Sequence, residues 1–118
     1  MAMTIYGIKN CDTMKKARNW LEGHGASVTF HDYKASGIDK DSLERWVGEH
    51  GWETVLNRAG TTFRALPDAE KQGLDAGKAV VLMLAQPSMI KRPVLDLGQG
   101  KTIVGFKPEI YEAAVPKG

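Results

Sequence analysis

The chain has a single cysteine among its 118 residues. A lone thiol cannot close an internal disulfide, which excludes a disulfide-stapled secreted scaffold and leaves Cys11 to act as a thiol. Excess charge is equally scarce. Sixteen Lys and Arg stand against fourteen Asp and Glu, for a net charge of +2. No dense basic block occurs, so no nucleic-acid partner is expected. Long hydrophobic runs are missing too. The longest, Ala79 to Ala85, is far short of a membrane span, and the first residues show no charged segment followed by an apolar stretch. No membrane association is expected, and the expected location is cytoplasmic. His24, His31 and His50 do not combine with Cys11 at metal-ligand spacing, so no metal is expected.

What remains is an ordinary globular mixture. With 42% apolar and 25% charged residues, the chain reads as one domain over residues 1–118, monomeric by default at this size. Met3 to Ile8 is rich in β-branched and aromatic residues and predicts a first strand, followed by the polar turn Lys9-Asn10-Cys11-Asp12. Met14, Ala17, Leu21 and His24 share one helical face with Trp20 beside it, and Gly23 and Gly25 supply the stop. Ser27 to Tyr33 predicts a second strand. A strand, helix and strand joined this closely make a parallel pair with a right-handed crossover.

The middle of the chain changes to a helical period. Ile38 and Leu43 flank an Asp39 cap at the spacing of a hydrophobic staple, and Leu43, Trp46, Val47 and His50 continue one face to Gly51. Trp52, Val55 and Leu56 extend an apolar face, and Pro67 opens another short helix. Lys78 to Gln86 suits a buried strand or a buried helix by period alone; Leu, Met and Ala content and the stop at Pro87 favour helix. Two short strands, Pro93 to Leu97 and Lys101 to Val104, flank Gly98-Gln99-Gly100 as an antiparallel hairpin. Pro108 starts a last helix with Ile110, Tyr111 and Ala114 as its apolar side, before a frayed Pro116-Lys117-Gly118 tail. The expected fold is therefore α/β: βαβ, a helical insertion at about 39–87, then ββα.

Cys11 falls in the turn that enters the first helix. Unpaired backbone N–H groups and the helix dipole favour negative charge there, so a thiolate is stabilised. The competing reading is an inert cysteine packed as a small hydrophobe, against which its polar neighbours Asn10, Asp12 and Thr13 argue. Three residues on, where a dithiol protein would carry a resolving cysteine, stands Met14. Any adduct on Cys11 must be resolved by an outside thiol. Arg58, Arg92 and Lys107 are cations beside loop residues, each readable singly as surface charge. Trp20, Trp46 and Trp52 lie on apolar helical faces and read as core rather than as a base-stacking platform.

Four segments, in order, carry a family likeness: Tyr6-Gly7-Ile8-Lys9-Asn10-Cys11-Asp12-Thr13-Met14-Lys15-Lys16-Ala17, Leu56-Asn57-Arg58, Ile90-Lys91-Arg92-Pro93-Val94 and Val104-Gly105-Phe106-Lys107-Pro108-Glu109. With them the chain resembles the arsenate-reductase-like proteins, a family that includes the Spx regulators, and most closely its small YffB-like branch. The resemblance implies a thioredoxin-like fold with Cys11 as nucleophile. It implies a pocket for an oxyanion or a glutathione carboxylate, made by Asn10, Arg58, Arg92, Pro93 and Lys107. It also implies a cis-proline at Pro93 that exposes backbone polar groups to a thiol substrate. Lys107 departs from the third arginine of true arsenate reductases, keeping a charge but losing the planar fork suited to an oxyanion. The expected activity is that of a glutathione-dependent thiol oxidoreductase. Glutathione would be cosubstrate, no cofactor would be tightly bound, and glutaredoxin and a small-molecule or protein disulfide would be partners. The alternatives are arsenate reduction with glutathione and glutaredoxin as reductant, and a Spx-like regulator that binds RNA polymerase.

Overall fold

Alternation along strand β1 (Met3–Gly7) sets the architecture. Met3, Ile5 and Gly7 are buried on one side of the pleat while Thr4 and Tyr6 are half-buried on the other, as in a strand covered on both faces. In the computed structural model, which describes residues 3–9, 11–98 and 100–115, β1 lies inside a four-stranded sheet of order β2-β1-β3-β4. Strand β2 (Val28–Asp32) runs parallel to it, with Met3 opposite Val28 and Gly7 opposite Asp32. Strand β3 (Val94–Asp96) runs antiparallel on the other side, with Ile5 opposite Leu95 and Tyr6 opposite Val94, and β4 (Thr102–Val104) pairs antiparallel with β3. The expected βαβ and hairpin halves are both present, each strand a residue or more shorter than its apolar run.

Each face of the sheet has its own core. Helices α1 (Asp12–Gly23) and α8 (Pro108–Ala114) bring Met14, Ala17, Leu21, Tyr111 and neighbouring Val115 against Met3, Ile5 and Leu95. The helical insertion covers the opposite face. Its elements are α3 (Lys40–His50), α4 (Trp52–Val55), α5 (Thr61–Arg64), α6 (Asp68–Lys71) and α7 (Ala76–Ala85). From it Leu43, Trp46, Val55, Leu56, Phe63, Ala79 and Met83 join Tyr33 and Val94 in a second cluster. Trp46 is the largest buried side chain there and meets Tyr6 edge-on, with ring centroids 4.9 Å apart. Trp20 and Trp52 are only half-buried.

The start of α3 follows from its cap. Asp39 accepts from the Ser42 amide at 2.9 Å and from the Ser42 hydroxyl at 2.7 Å, satisfying donors that the first turn leaves unpaired. The far end of α3 is tied to the sheet. Glu49 accepts from the Thr102 hydroxyl at 2.7 Å and from its amide, and His50 Nε2 lies 2.7 Å from the same hydroxyl oxygen. Because the Thr102 proton goes to Glu49, His50 must be the donor to Thr102. Helix α7 confirms the helical choice for the ambiguous apolar run, capped by Asp75, which accepts from the Lys78 amide at 2.8 Å.

Three expectations are corrected. Tyr33 does not extend β2. It opens the short helix α2 (Tyr33–Ser36), because the Asp32 carboxylate accepts from the amides of Lys34 and Ala35 and turns the chain. His24 does not belong to the buried face of α1. It is exposed past the helix end, stacked on Trp20 with centroids 3.8 Å apart, its Nδ1 donating to the Trp20 carbonyl. In α8 the buried side is Tyr111 and Val115, four residues apart, whereas Ile110 is 45% exposed and Ala114 is exposed. Gln99 and the Pro116-Lys117-Gly118 tail lie outside the described residues, and among those described no helix is long and apolar enough to cross a membrane.

Gly7 ends β1 at the point where α1 crosses it. A methyl group there would lie 2.5 Å from Met14 Cε and would overlap the thioether sulfur. Met14 is 1% exposed and has little room to withdraw. Gly7→Ala is expected to destabilise the fold by about 1–3 kcal/mol, the usual range for overpacking. The matching loss of thermal stability should be smaller when Gly7→Ala is made in a Met14→Ala background, where the clashing thioether is gone, than in the native protein.

Candidate active site

The C-terminal ends of the parallel strands β1 and β2 open on one edge of the sheet, the edge at which open α/β sheets place their ligands. Cys11 stands there as the N-cap of α1. Its backbone is extended (φ −125°, ψ 129°), and its carbonyl accepts the first helical bond from the Lys15 amide at 3.0 Å. The half-buried side chain rests beside the α1 core while its sulfur faces the first helical turn. Burial pushes the thiol pKa up. The Met14 amide, the Arg92 guanidinium and the Thr13 amide together outweigh it and hold the thiol below its ordinary range. The thiolate is thus favoured by orphan helix donors and one fixed cation.

Arg92 reaches this edge through pairing. After α7 the chain makes a 3-10 turn at Pro87–Met89, and Ile90 then forms an isolated antiparallel bridge with Leu56. The Asn57 amide donates to the Met89 carbonyl at 2.7 Å and the Lys91 amide to the Val55 carbonyl at 2.8 Å. The next peptide, Arg92-Pro93, is cis, and Pro93 leads directly into β3, whose Val94 faces Tyr6 near the end of β1. Arg92 therefore arrives where the Cys11 turn begins. The Pro93 carbonyl accepts from the Gly105 amide at 2.8 Å, which ties the end of β4 to the same point. Among the described residues the Arg92 amide and carbonyl make no hydrogen bond to another backbone group.

The other expected pocket residues fare differently. Arg58 is carried beside the Arg92 segment by the Leu56–Ile90 bridge, but its guanidinium lies over the Trp52 ring and 3.8 Å from Glu53. It does not meet Cys11 in this arrangement. Lys107 is exposed at the N-cap of α8, two residues beyond the Gly105–Pro93 bond. Asn10 lies outside the described residues. The structure thus brings Cys11, Arg92 and Pro93 together and leaves Arg58 and Lys107 on flanking loops. No three His, Cys, Asp or Glu side chains gather at metal-holding distance among the described residues.

One residue beside this edge was expected only as the end of a strand. Tyr33 is fully buried, its hydroxyl donating to the carbonyl of Ile90, two residues before Arg92, at 2.8 Å. The available signal was positional. A residue just past the second strand of a parallel βαβ unit must share the sheet edge with the residues just past the first, and Asp32 stands opposite Gly7.

Comparison with known proteins finds relatives over nearly the whole chain. The profile described as the ArsC family matches residues 6–114. A solved structure named YffB is 65% identical, covering 97% of this chain and 99% of its own, with a TM-score of 0.93. The solution structure of an arsenate reductase (ArsC) related protein from Brucella melitensis is 61% identical, covering 97% and 94%, with a TM-score of 0.76. More distantly, the chain is 24% identical over 117 residues to the global transcriptional regulator Spx of Streptococcus mutans, covering 98% of this chain and 84% of the regulator.

Proposed function

The chain belongs to the ArsC family, and from that membership we propose that it is a glutathione-dependent thiol oxidoreductase with Cys11 as its one nucleophile. The observation that carries the proposal is the pairing of the chain's sole thiol with Arg92 at the entry of α1, where the thiolate is favoured. Cys11 thiolate attacks one sulfur of a disulfide; that bond breaks and the other sulfur leaves as a thiolate. The resulting mixed disulfide has no second cysteine to resolve it, since position 14 is a buried methionine. A first glutathione thiolate attacks the Cys11 sulfur and expels the second substrate thiolate, leaving Cys11 glutathionylated; a second attacks the glutathione sulfur of that adduct, forming oxidised glutathione and returning Cys11 as a thiolate. Two electrons pass from two glutathiones to one disulfide. Arg92 supplies a charge-assisted contact for an anionic group next to the sulfur, and Arg58 and Lys107 flank the approach.

Mass spectrometry after incubation with oxidised glutathione tests the proposal. One glutathionyl group should appear on Cys11 and leave again on adding reduced glutathione. A protein that stays unmodified while a free-cysteine peptide is fully modified would overturn it.

The family also supports a second reading, in which Cys11 attacks arsenate and water leaves, with glutathione and glutaredoxin as reductants. Arg58 held on Trp52 and Glu53, and Lys107 in place of a third arginine, offer only Arg92 as a planar oxyanion fork at the sulfur. Arsenite formed under multiple turnover would favour that reading over the first. The likeness to Spx adds a regulator reading, which stable capture of RNA polymerase by the purified chain would support.

A further inference from the structure

Strands β1 and β2 pair at a constant offset, Met3 opposite Val28 and Gly7 opposite Asp32. Carried two residues past the sheet, the same offset brings Lys9 alongside Lys34. The two do share one cleft. Ile8, Lys9, Asp32, Lys34 and Ala35 line an opening of about 300 Å³ at the end of the strand pair. Both lysines are exposed, and among the described residues neither side chain makes an ion pair or a hydrogen bond. Like charges held side by side repel, so an anion between them is favoured. The one acid in the cleft is engaged elsewhere: Asp32 Oδ1 accepts from the amides of Lys34 and Ala35 at 3.0 and 3.2 Å. Two cations against one carboxylate leave the cleft positive.

We propose that this cleft binds a carboxylate of the thiol cosubstrate, with Lys9 and Lys34 as its cations, and so sets which thiols exchange at Cys11. The inference rests on the thiol-oxidoreductase reading and deepens it by naming the group of glutathione that is recognised. The reach fits. Lys9 stands two residues before Cys11, and two residues of chain span at most about 7 Å. The glycine carboxylate of glutathione lies one residue beyond the cysteine that bears its sulfur, a distance of the same order. One bound molecule can therefore place its sulfur at Cys11 and its carboxylate between the lysines. The sheet also separates the two halves of a disulfide. In the order β2-β1-β3-β4, the cleft lies on the β2 side of the Cys11 turn, whereas Pro93, just before β3, lies on the other. A disulfide laid across Cys11 thus has one half beside Pro93 and the other beside the lysines.

The test compares two disulfides at Cys11, in the native protein and in the double variant Lys9→Gln, Lys34→Gln. Oxidised glutathione carries carboxylates, and hydroxyethyl disulfide carries no charge. Both lysines are exposed, so the variant should fold as the native protein does. Its rate of adduct formation with oxidised glutathione should fall roughly tenfold, while the rate with hydroxyethyl disulfide stays within about twofold. Lys9→Arg, Lys34→Arg should restore most of the glutathione rate. An unchanged rate with oxidised glutathione, or an equal fall with both disulfides, would overturn the proposal, because a loss of thiol reactivity alone slows both alike. S-methylglutathione, which cannot exchange, separates this result from the functional reading. Followed by NMR, it should shift the amide signals of Ile8 and Ala35 in the native protein and leave them in place in the variant; no shift in the native protein, or equal shifts in both, refutes the subsite. A native protein that forms no adduct with either disulfide would instead strike the oxidoreductase reading, while the S-methylglutathione titration would still decide the cleft.

Discussion

Cys11→Ser eliminates thiol–disulfide exchange while leaving the fold in place. A serine hydroxyl stays protonated at any pH the protein tolerates, and the chain holds no other sulfur nucleophile to substitute for it. The rate should fall to the uncatalysed background, a loss on the order of 10⁴-fold or more. Turnover of a mixed disulfide of glutathione and a chromogenic thiol measures this, with circular dichroism to show that the variant is folded. The same variant tests the electrostatics through stability. A thiol whose folded-state pKa lies below its unfolded value stabilises the protein fully above the unfolded pKa, about 8.5, and the contribution is lost as pH falls through the folded pKa. The melting temperature of the native protein should therefore gain on that of Cys11→Ser as pH rises through that interval. A constant difference across it would mean that the helix entry does not favour the thiolate.

Arg92→Ala has the second largest effect. It removes the cation that faces the sulfur, while the Met14 and Thr13 amides remain. The loss should raise the thiol pKa and cut reactivity near neutral pH roughly tenfold. The deficit must be pH-dependent. Well above both pKa values each protein is fully thiolate, and the more basic sulfur of the variant is intrinsically no worse a nucleophile, so the two rate curves should meet or cross. Anion recognition adds a second signature. Iodoacetate carries a carboxylate and iodoacetamide does not, so the ratio of their rates at Cys11 should fall in the variant. A ratio that does not change would remove Arg92 from the proposed anion site.

How much of this was legible in the chain depends on whether local chemistry or tertiary contact decides the outcome. The order of elements along the chain, both halves of the fold and the helix over Ala76–Ala85 were readable because their apolar periods, the Asp39 cap and the prolines act locally. The edges were less so. Tyr33 looked like strand because it is aromatic and follows alternating residues, yet the Asp32 side chain captures two amides and ends the strand. The α8 face was misplaced because Val115, beyond the last helical residue, completes the buried pair with Tyr111. At the site, Cys11 was legible from its turn, and Arg92 only from the family likeness of its segment. The buried Tyr33 was not, because its hydroxyl is placed by a contact 57 residues away, with Ile90. Arg58 was legible only as a charge. Its position on Trp52 and Glu53 is a side-chain choice that spacing does not encode.

The central claim is that the helix entry and Arg92 make Cys11 a reactive thiolate. Titration of that thiol in the native protein, followed by thiolate ultraviolet absorbance with Cys11→Ser as the blank, tests it most directly. A single transition centred clearly below the ordinary thiol value of about 8.5 is predicted. A midpoint at or above that value would contradict the account.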